Sequence, residues 1–330
     1  MQSSLIFLGY VAPLGTYRLD GTIGKKLLGL ANEFLTYAEL RGLSPATVRA
    51  YGYDLVSFFR WFHPRRTRWQ LETVEFLKFV EFLKSQNLQP TSINRRIMSC
   101  LMFYQFIFGA TPMSIAVAKR HRSHKKAAGI RLKIKTPYKL VEALEPKEVR
   151  KIMKRSKRYR DLAIMYLLLF CGLRSCEVLS LSVGDLNLLH RTILVLGKGR
   201  KQRSLPLNDD VTHLLSLYFQ YERPSECPTD RVFVVLQGKQ RGKPMTKDGL
   251  RSIFRWRRRH WNLPRANAHR FRHTFGTEMA RNGVKLPILQ KMMGHSDPQT
   301  TMKYISLSMA DVHEEYTRAL ASIRSRYEPA

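Results

Sequence analysis

Between residues 113 and 141 the chain changes character, and this change constrains its folding more than any other feature. The stretch KRHRSHKKAAGIRLKIKTPYK carries many Lys and Arg and no acid. A segment so charged cannot close on a core of its own, so the chain reads as two bodies joined by a basic linker over 113–141. Two domains is also the natural number for 330 residues. Such a linker is either solvated slack or a strand lying along phosphates. The charge elsewhere favours the second reading: 57 Lys and Arg stand against 25 Asp and Glu, a formal net charge of +32. So large an excess burdens a compact chain unless a polyanion is its usual partner. Nucleic acid is the leading candidate and an anionic membrane surface the second.

On the N-terminal side of the linker four helical patterns follow one another. KKLLGLANEFLTYAEL stops at Gly42. Ser44-Pro45 then supplies an N-cap and a first-turn proline for PATVRAYGYDLVSFFRWF. Here Val48, Tyr51, Leu55, Phe58 and Phe62 recur at helical spacing. VEFLKFVEFLKSQ is the third helix, and TSINRRIMSCLMFYQFIF, after Pro90, is the fourth. Aromatic stripes of this kind read as a core, which gives a small helical domain over 23–112. Residues 1–22 show no clear periodicity and form an N-terminal extension.

A second domain is expected over 142–309, followed by a C-terminal helix at 310–330. EPKEVRKIMKRS, RDLAIMYLLLFCGL and NDDVTHLLSLYFQYE read as helices. RTILVLG and QRSLPL read as strands joined by the turn GKGRK, and VFVVLQ as a further strand. From Thr246 onward the pattern is helical, broken near Pro264, Gly283 and Asp297-Pro298. The fold class is therefore mainly α with a small antiparallel β-sheet. LAIMYLLLFCGL is too short to span a bilayer and reads as a buried helix. MQSSLIFLGYVAPLG lacks the positive charge that precedes the apolar run of a signal peptide. Cys100, Cys171, Cys176 and Cys227 form no CxxC pair and no zinc spacing, which suggests reduced thiols in a cytoplasmic protein. No metal ligand set and no membrane contact is expected.

AHRFRHTFGTEMARNG gathers His269, Arg270, Arg272 and His273 into five positions. A basic helix face is usually just solvated. On a helix, however, His269, Arg272 and His273 share one side and Arg270 points elsewhere. Three such heads repel one another unless an anion sits among them. Three more pieces stand out: Arg174 and Glu177 in CGLRSCEVLSL, Lys198 in GKGRKQRSLPL, and His295 with Tyr304 in MMGHSDPQTTMKYISLS. Singly each has a bland reading, as an ion pair, a turn lysine, a capping histidine or an ordinary tyrosine.

Together these residues resemble the tyrosine recombinase family, which includes integrases, Xer-type resolvases and transposon recombinases. The family order of Arg, Lys, His-x-x-Arg, His and Tyr is met by Arg174, Lys198, His269 with Arg272, His295 and Tyr304. LSPATVRAY…FFRWF and TSINRR…FYQF resemble the family's core-binding domain, so the likeness spans roughly residues 25–315. Departures are small: Phe271 stands where Leu is usual, MMGH replaces LLGH, and Ser306 lies where a His often follows the tyrosine. The resemblance implies a helical core-binding domain, an α+β catalytic domain, and double-stranded DNA recombination sites as substrate. It also implies a homo-oligomer, a tetramer on two DNA sites. There the C-terminal helix is either exchanged between protomers or packed on its own domain. Thr47, Arg49, Asn94, Arg95 and Arg96 are the implied DNA contacts of the core-binding domain. Lys119, Arg120, Lys125 and Lys126 are those of the linker.

The implied chemistry needs neither metal nor nucleotide cofactor. Tyr304 attacks a phosphodiester, leaving a 3′-phosphotyrosyl link and a free 5′-hydroxyl, and reversal by another strand's hydroxyl rejoins the DNA. Arg174 and Arg272 clamp the extra charge of the five-coordinate phosphorane with forked, permanently charged donors. His269 takes the phenol's proton, Lys198 protonates the leaving oxygen, and His295 donates a hydrogen bond to phosphate. Glu177 orients an arginine, and His273 supports the helix. Two rival functions stay open at this point. One is a type IB topoisomerase, separable by a strand-exchange assay. The other is a catalytically silent architectural protein, separable by trapping covalent DNA.

Overall fold

The computed structural model describes residues 6–12, 15–62, 73–109, 132–136, 143–197, 201–295, 297–302, 304, 316–317 and 319–320. They divide into two compact units, Met1–Tyr138 and Lys139–Ala330.

In the first unit, α1 (Lys25–Leu40), α2 (Pro45–Phe62), α3 (Thr73–Ser85) and α4 (Pro90–Phe108) surround an aromatic core. The boundaries follow from local chemistry. Gly42 adopts φ 74° after α1 and Gly109 φ 66° after α4. This left-handed conformation stops a helix. Ser44 Oγ accepts the Thr47 amide at 3.3 Å, and Pro45 occupies the first position of α2. Val48, Leu55, Phe58 and Phe62 are buried as their spacing predicts. Phe58 meets Phe79 edge-on at 5.1 Å, and Phe59 meets Phe103 edge-on at 5.7 Å. Truncating one such ring to Ala costs about 3–5 kcal/mol.

The N-terminal residues correct the sequence reading. Residues 1–22 show no periodicity as sequence, yet β1 (Ile6–Val11) and β2 (Thr16–Gly21) form an antiparallel hairpin with Ile6 opposite Gly21. A two-stranded ribbon is marginal by itself; this one is held by the helices. Ile6 and Leu19 are buried. Arg60 donates to Ile6 O at 2.9 Å, and Arg18 forks onto Glu39 at 3.2 and 3.1 Å. Asn32 exchanges hydrogen bonds with the Leu19 backbone at 2.8 and 3.0 Å. Leu8 lies over Gly52, where an added Cβ would stand 2.4 Å from a Leu8 methyl. The support is tertiary, and so it left no local pattern.

Within the basic segment 113–141, residues 132–136 are described. They form neither helix nor strand, with Leu132 and Ile134 against the helical core and Lys133 and Lys135 exposed. Lys119, Arg120, Lys125 and Lys126 lie outside the described residues.

In the second unit, α5 (Pro146–Arg155), α6 (Tyr159–Phe170), α7 (Ser175–Ser180) and α8 (Asp209–Tyr221) accompany a three-stranded antiparallel sheet. Its strands are β3 (Leu186–Asn187), β4 (Thr192–Leu196) and β5 (Gln202–Pro206), in that order. Then come α9 (Lys247–Trp261), α10 (Ala268–Arg281), α11 (Leu286–Met293) and α12 (Pro298–Met302). Side-chain caps start three helices: Asn208, Thr246 and Asn267 accept the amides of Val211, Gly249 and Arg270 at 3.0, 3.1 and 3.0 Å. α6 is the apolar helix read from the sequence, and it sits in the core.

VFVVLQ is not the regular strand expected. It makes one isolated bridge, Val234 to Pro244, and its amides reach loop carbonyls: Val232 to Leu181 at 2.9 Å and Val235 to Lys243 at 2.9 Å. Val232, Phe233 and Val234 are all buried, so the run is apolar because it threads the core, not because it joins a ladder. The helix expected over 310–330 falls mostly outside the described residues; Tyr316, Thr317, Ala319 and Leu320 are helical. Among the described residues, no helix is long and apolar enough to cross a membrane.

Candidate active site

Arg174 reaches its place through a tight turn. α6 ends at Phe170, and Gly172 takes φ 63° so closely over Phe275 that a Cβ there would lie 2.3 Å from the ring. Arg174 then stands at the N-terminus of α7, and Glu177 three residues on faces inward. The Glu177 carboxylate accepts the Arg174 amide at 2.7 Å, the Arg174 guanidinium at 2.8 Å, and a fork from Arg203 at 3.0 and 2.9 Å. Arg272 comes within 3.8 Å of the same carboxylate. Burial pushes the Glu177 carboxyl up, but Arg203 and Arg174 outweigh it and leave it below its ordinary range.

α10 supplies Arg272, which is buried. It donates to Gly172 O, to Met293 O at 2.7 Å and to His295 Nε2 at 2.9 Å. Burial and then the charge of Arg174 bring its pKa down to about 10, so it stays cationic at neutral pH. A guanidinium can only donate, so His295 Nε2 accepts. The His295 proton then sits on Nδ1, facing Thr301 Oγ1 at 2.8 Å. Burial first, then Arg272, Arg174 and Arg203, lower the His295 pKa to about 4. Without an anion present, the imidazole is neutral.

The turn before His295 is held by three arginines. Gly294 ends α11 at φ 62°, and three consecutive carbonyls there each take a different guanidinium. Met292 O accepts Arg203 at 2.8 Å, Met293 O accepts Arg272 at 2.7 Å, and Gly294 O accepts Arg174 at 2.9 Å. The negative end of a helix favours such cations.

Tyr304 lies just past α12, its amide bonded to Thr301 O at 3.0 Å. Its ring packs on Gly276 of α10, where a Cβ would be 2.8 Å away. It stacks near His295 at 6.2 Å and touches the His273 ring at 5.0 Å. Tyr304 is 8% exposed, and burial raises its pKa despite the opposing charges of Arg272 and Arg174. His269 meets the other side of this chain of rings, edge-on to His273 at 4.8 Å. Burial, then Arg272 and Arg270, lower its pKa, which keeps it in the basic, neutral form. Lys198 is outside the described residues. Its flanks are described: Gly197 N bonds to Lys201 O at 2.8 Å, and Leu196 pairs with Gln202.

Arg174, Glu177, Arg272, His295 and Tyr304 therefore come together, with His269 joined to them through His273. Arg203, Thr301 and Gly276 were missed as parts of the site. Arg203 carried a signal: on β5 it shares the inward face with buried Leu205, two residues on. Thr301 and Gly276 carried none. Beside His269, a groove of about 390 Å³ is walled by Lys247, Arg251, Arg255 and Arg258, with Ser175 and Asn267.

The candidate DNA contacts of the helical unit fall into two groups. Thr47 and Arg49 lie at the start of α2, and Arg49 is stacked on Tyr17 and Tyr53 at 5.7 and 5.5 Å. Asn94, Arg95 and Arg96 have internal partners. Asn94 brackets Ile134 with bonds of 2.8 and 2.7 Å. Arg95 donates to buried Asp54 at 2.6 Å, and Arg96 donates to Ser57 Oγ at 3.0 Å.

Comparison with known proteins gives consistent results. Residues 142–311 match the phage integrase family, and residues 31–109 match the phage integrase N-terminal SAM-like domain. The chain is 31% identical to the tyrosine recombinase XerC of Chlorobaculum tepidum over 320 residues, covering 87% of this chain and 93% of that one. It is 29% identical to the tyrosine recombinase XerD of Oceanobacillus iheyensis over 287 residues, covering 84% and 92%. In fold it resembles the Tn1549 transposon integrase in complex with transposon right end DNA, with a TM-score of 0.66, 18% identity and coverage of 88% and 98%.

Proposed function

Because the chain belongs to the phage integrase family and is a tyrosine site-specific recombinase, we propose that it cuts and rejoins DNA strands through a 3′-phosphotyrosyl link on Tyr304. The observation that carries this reading is the convergence of two guanidiniums, Arg174 and Arg272, on the turn that leads into His295, with the Tyr304 ring alongside.

Arg272 commits one N–H to a neutral imidazole nitrogen. A phosphate oxygen is a stronger, charged acceptor, so an arriving scissile phosphate draws Arg272 and Arg174 onto itself. That frees His295 Nε2. The neutral imidazole can then take its other tautomer, with the proton on Nε2 donated in a hydrogen bond to the same phosphate and Nδ1 accepting from the Thr301 hydroxyl. The Tyr304 oxygen then attacks phosphorus and the bond to the 5′-oxygen breaks. The phenol proton goes to His269, and Lys198 gives one to the leaving oxygen. A preorganised donor of this kind contributes on the order of 10²–10³ in rate. The groove walled by Lys247, Arg251, Arg255 and Arg258 supports DNA as the ligand, because its charge suits a phosphate backbone. Arginine and lysine supply the positive charge here, so the step needs no metal and no nucleotide. The working assembly is four copies on two DNA sites, with residues 310–330 as the contact between neighbours.

A single experiment tests the chemistry. Wild-type protein in EDTA without nucleotide forms a covalent adduct with a nicked site duplex, and Tyr304→Phe binds the duplex but forms none. An adduct on the Phe variant refutes Tyr304 as the nucleophile, and a strict Mg²⁺ requirement refutes the metal-free step.

A further inference from the structure

Arg203 is a cation of the site with a buried side chain whose fork and Nε are all bonded within the protein. It lies on β5, five residues after Lys198, on the strand that returns from the 198–200 segment. Its side chain is 7% exposed. The fork takes both oxygens of Glu177 at 3.0 and 2.9 Å, and Nε takes Met292 O at 2.8 Å. The same guanidinium fills the space beside Gly294, where a Cβ would be 2.9 Å from Nη1. One planar group therefore joins three segments: the lysine's hairpin, the helix that starts at Arg174, and the turn that presents His295.

Its two neighbours on that turn are less permanent. Arg174 and Arg272 hold Gly294 O and Met293 O, but both are the groups a phosphate would recruit. Arg203 is turned to Glu177 and Met292 O with its fork and Nε in use. Were a phosphate to recruit the other two, these bonds would stay in place. A lysine could reach Glu177 or Met292 O, but a single ammonium does not reproduce a fork plus a third fixed donor.

We propose that Arg203 is a positioning residue that brackets the Lys198 hairpin to the His295 turn, fixing the proton donor relative to the phosphate contact. The proposal rests on the reading of Lys198 as the acid, and the test separates the two. A misplacement of about 1 Å is enough to cost on the order of 10²-fold in rate. Arg203→Met should therefore slow cleavage of an ordinary phosphodiester by about 10²-fold, and Arg203→Lys, which keeps the charge, by less. Both should keep wild-type affinity for a single site.

The decisive substrate carries a bridging sulfur at the 5′ position. A thiolate leaves without a proton, so the Arg203 variants should recover most of their rate on it, as Lys198→Ala should. A purely structural defect would be equally slow on both substrates. Amide exchange without DNA reads the bracket directly: Arg203→Lys should raise exchange at 194–197, 201–206 and 292–295 and leave α6 unchanged. Unchanged exchange in those segments overturns the bracket. Arg203 variants that stay slow on the sulfur substrate while Lys198→Ala is rescued overturn the positioning role. If Lys198→Ala is itself not rescued, the acid assignment falls, and amide exchange still decides the bracket.

Discussion

Replacing Glu177 by Gln removes one charge and almost no volume, and the structure sets the expected cost. Four donors converge on the two carboxylate oxygens. Oε1 takes Arg174 Nη1 and Arg203 Nη1, and Oε2 takes the Arg174 amide and Arg203 Nη2. A glutamine has one oxygen and one NH2. Whichever way the amide is flipped, two of the four acceptor contacts become donor against donor. Hydrogen bonds to charged groups contribute about 1.5–3 kcal/mol each, so two lost bonds cost about 3–6 kcal/mol. Breaking a buried ion pair gives a similar figure, about 3–5 kcal/mol. The Arg174 side chain is 31% exposed and can turn to water. That places the expectation near the lower end, about 3 kcal/mol.

The assay is a urea titration read by hydrogen exchange on peptides of the C-terminal unit. Its pH dependence has a definite sign. The Glu177 carboxyl is held below its ordinary value of 4.5, so its contribution is complete above that value and is lost as pH falls through the lower folded pKa. The gap between wild type and Glu177→Gln should be full at pH 7 and narrow below pH 4.5. A gap under about 1 kcal/mol at pH 7, the size of an exposed pair, would refute the view that Glu177 neutralises the arginine cluster.

Three further perturbations probe other parts of the chain. Gly52→Ala should gain about 1 kcal/mol of helix propensity yet loosen the hairpin, because the new methyl meets Leu8. Faster amide exchange at 6–11, reversed by Leu8→Ala in the same chain, is the expected result, and unchanged protection would show that Leu8 simply moves aside. Neutralising Lys119, Arg120, Lys125 and Lys126 should weaken binding to all sequences alike and flatten the log–log salt dependence by about 0.9 per lost phosphate contact; an unchanged slope would make the segment solvated slack. Truncation after Ser308 should spare single-site binding but lower assembly of paired sites. Recombination by the truncated protein at wild-type rate would eliminate the exchanged helix.

Much of the molecule is legible in the sequence because its signals are local. Val48, Leu55, Phe58 and Phe62 announce one helix face by spacing alone, and Gly42 marks a helix end because a left-handed residue stops a helix there. Arg174, Arg272, His295 and Tyr304 carry no such local signal; singly each is bland, and it is their order along the chain that resembles the tyrosine recombinases. The hairpin at 6–21, the irregular course of 232–236 and the internal partners of Asn94, Arg95 and Arg96 are not legible. Each depends on a surface that another part of the chain supplies: Gly52 under Leu8, the loops flanking Phe233, Asp54 beneath Arg95. In the site, tertiary structure decided two things. It set the state of the groups: burial beside Arg272 and Arg174 makes His295 neutral, and burial makes Tyr304 a reluctant acid even though the same arginines favour its phenolate. It also chose which arginine holds the scaffold. The strand alternation that turns Arg203 inward says nothing of what it meets there. Only the long-range meeting of β5, α7 and the end of α11 brings both Arg203 and Arg174 to Glu177, buries the side chain of the first against Met292 O and leaves the second partly open to solvent.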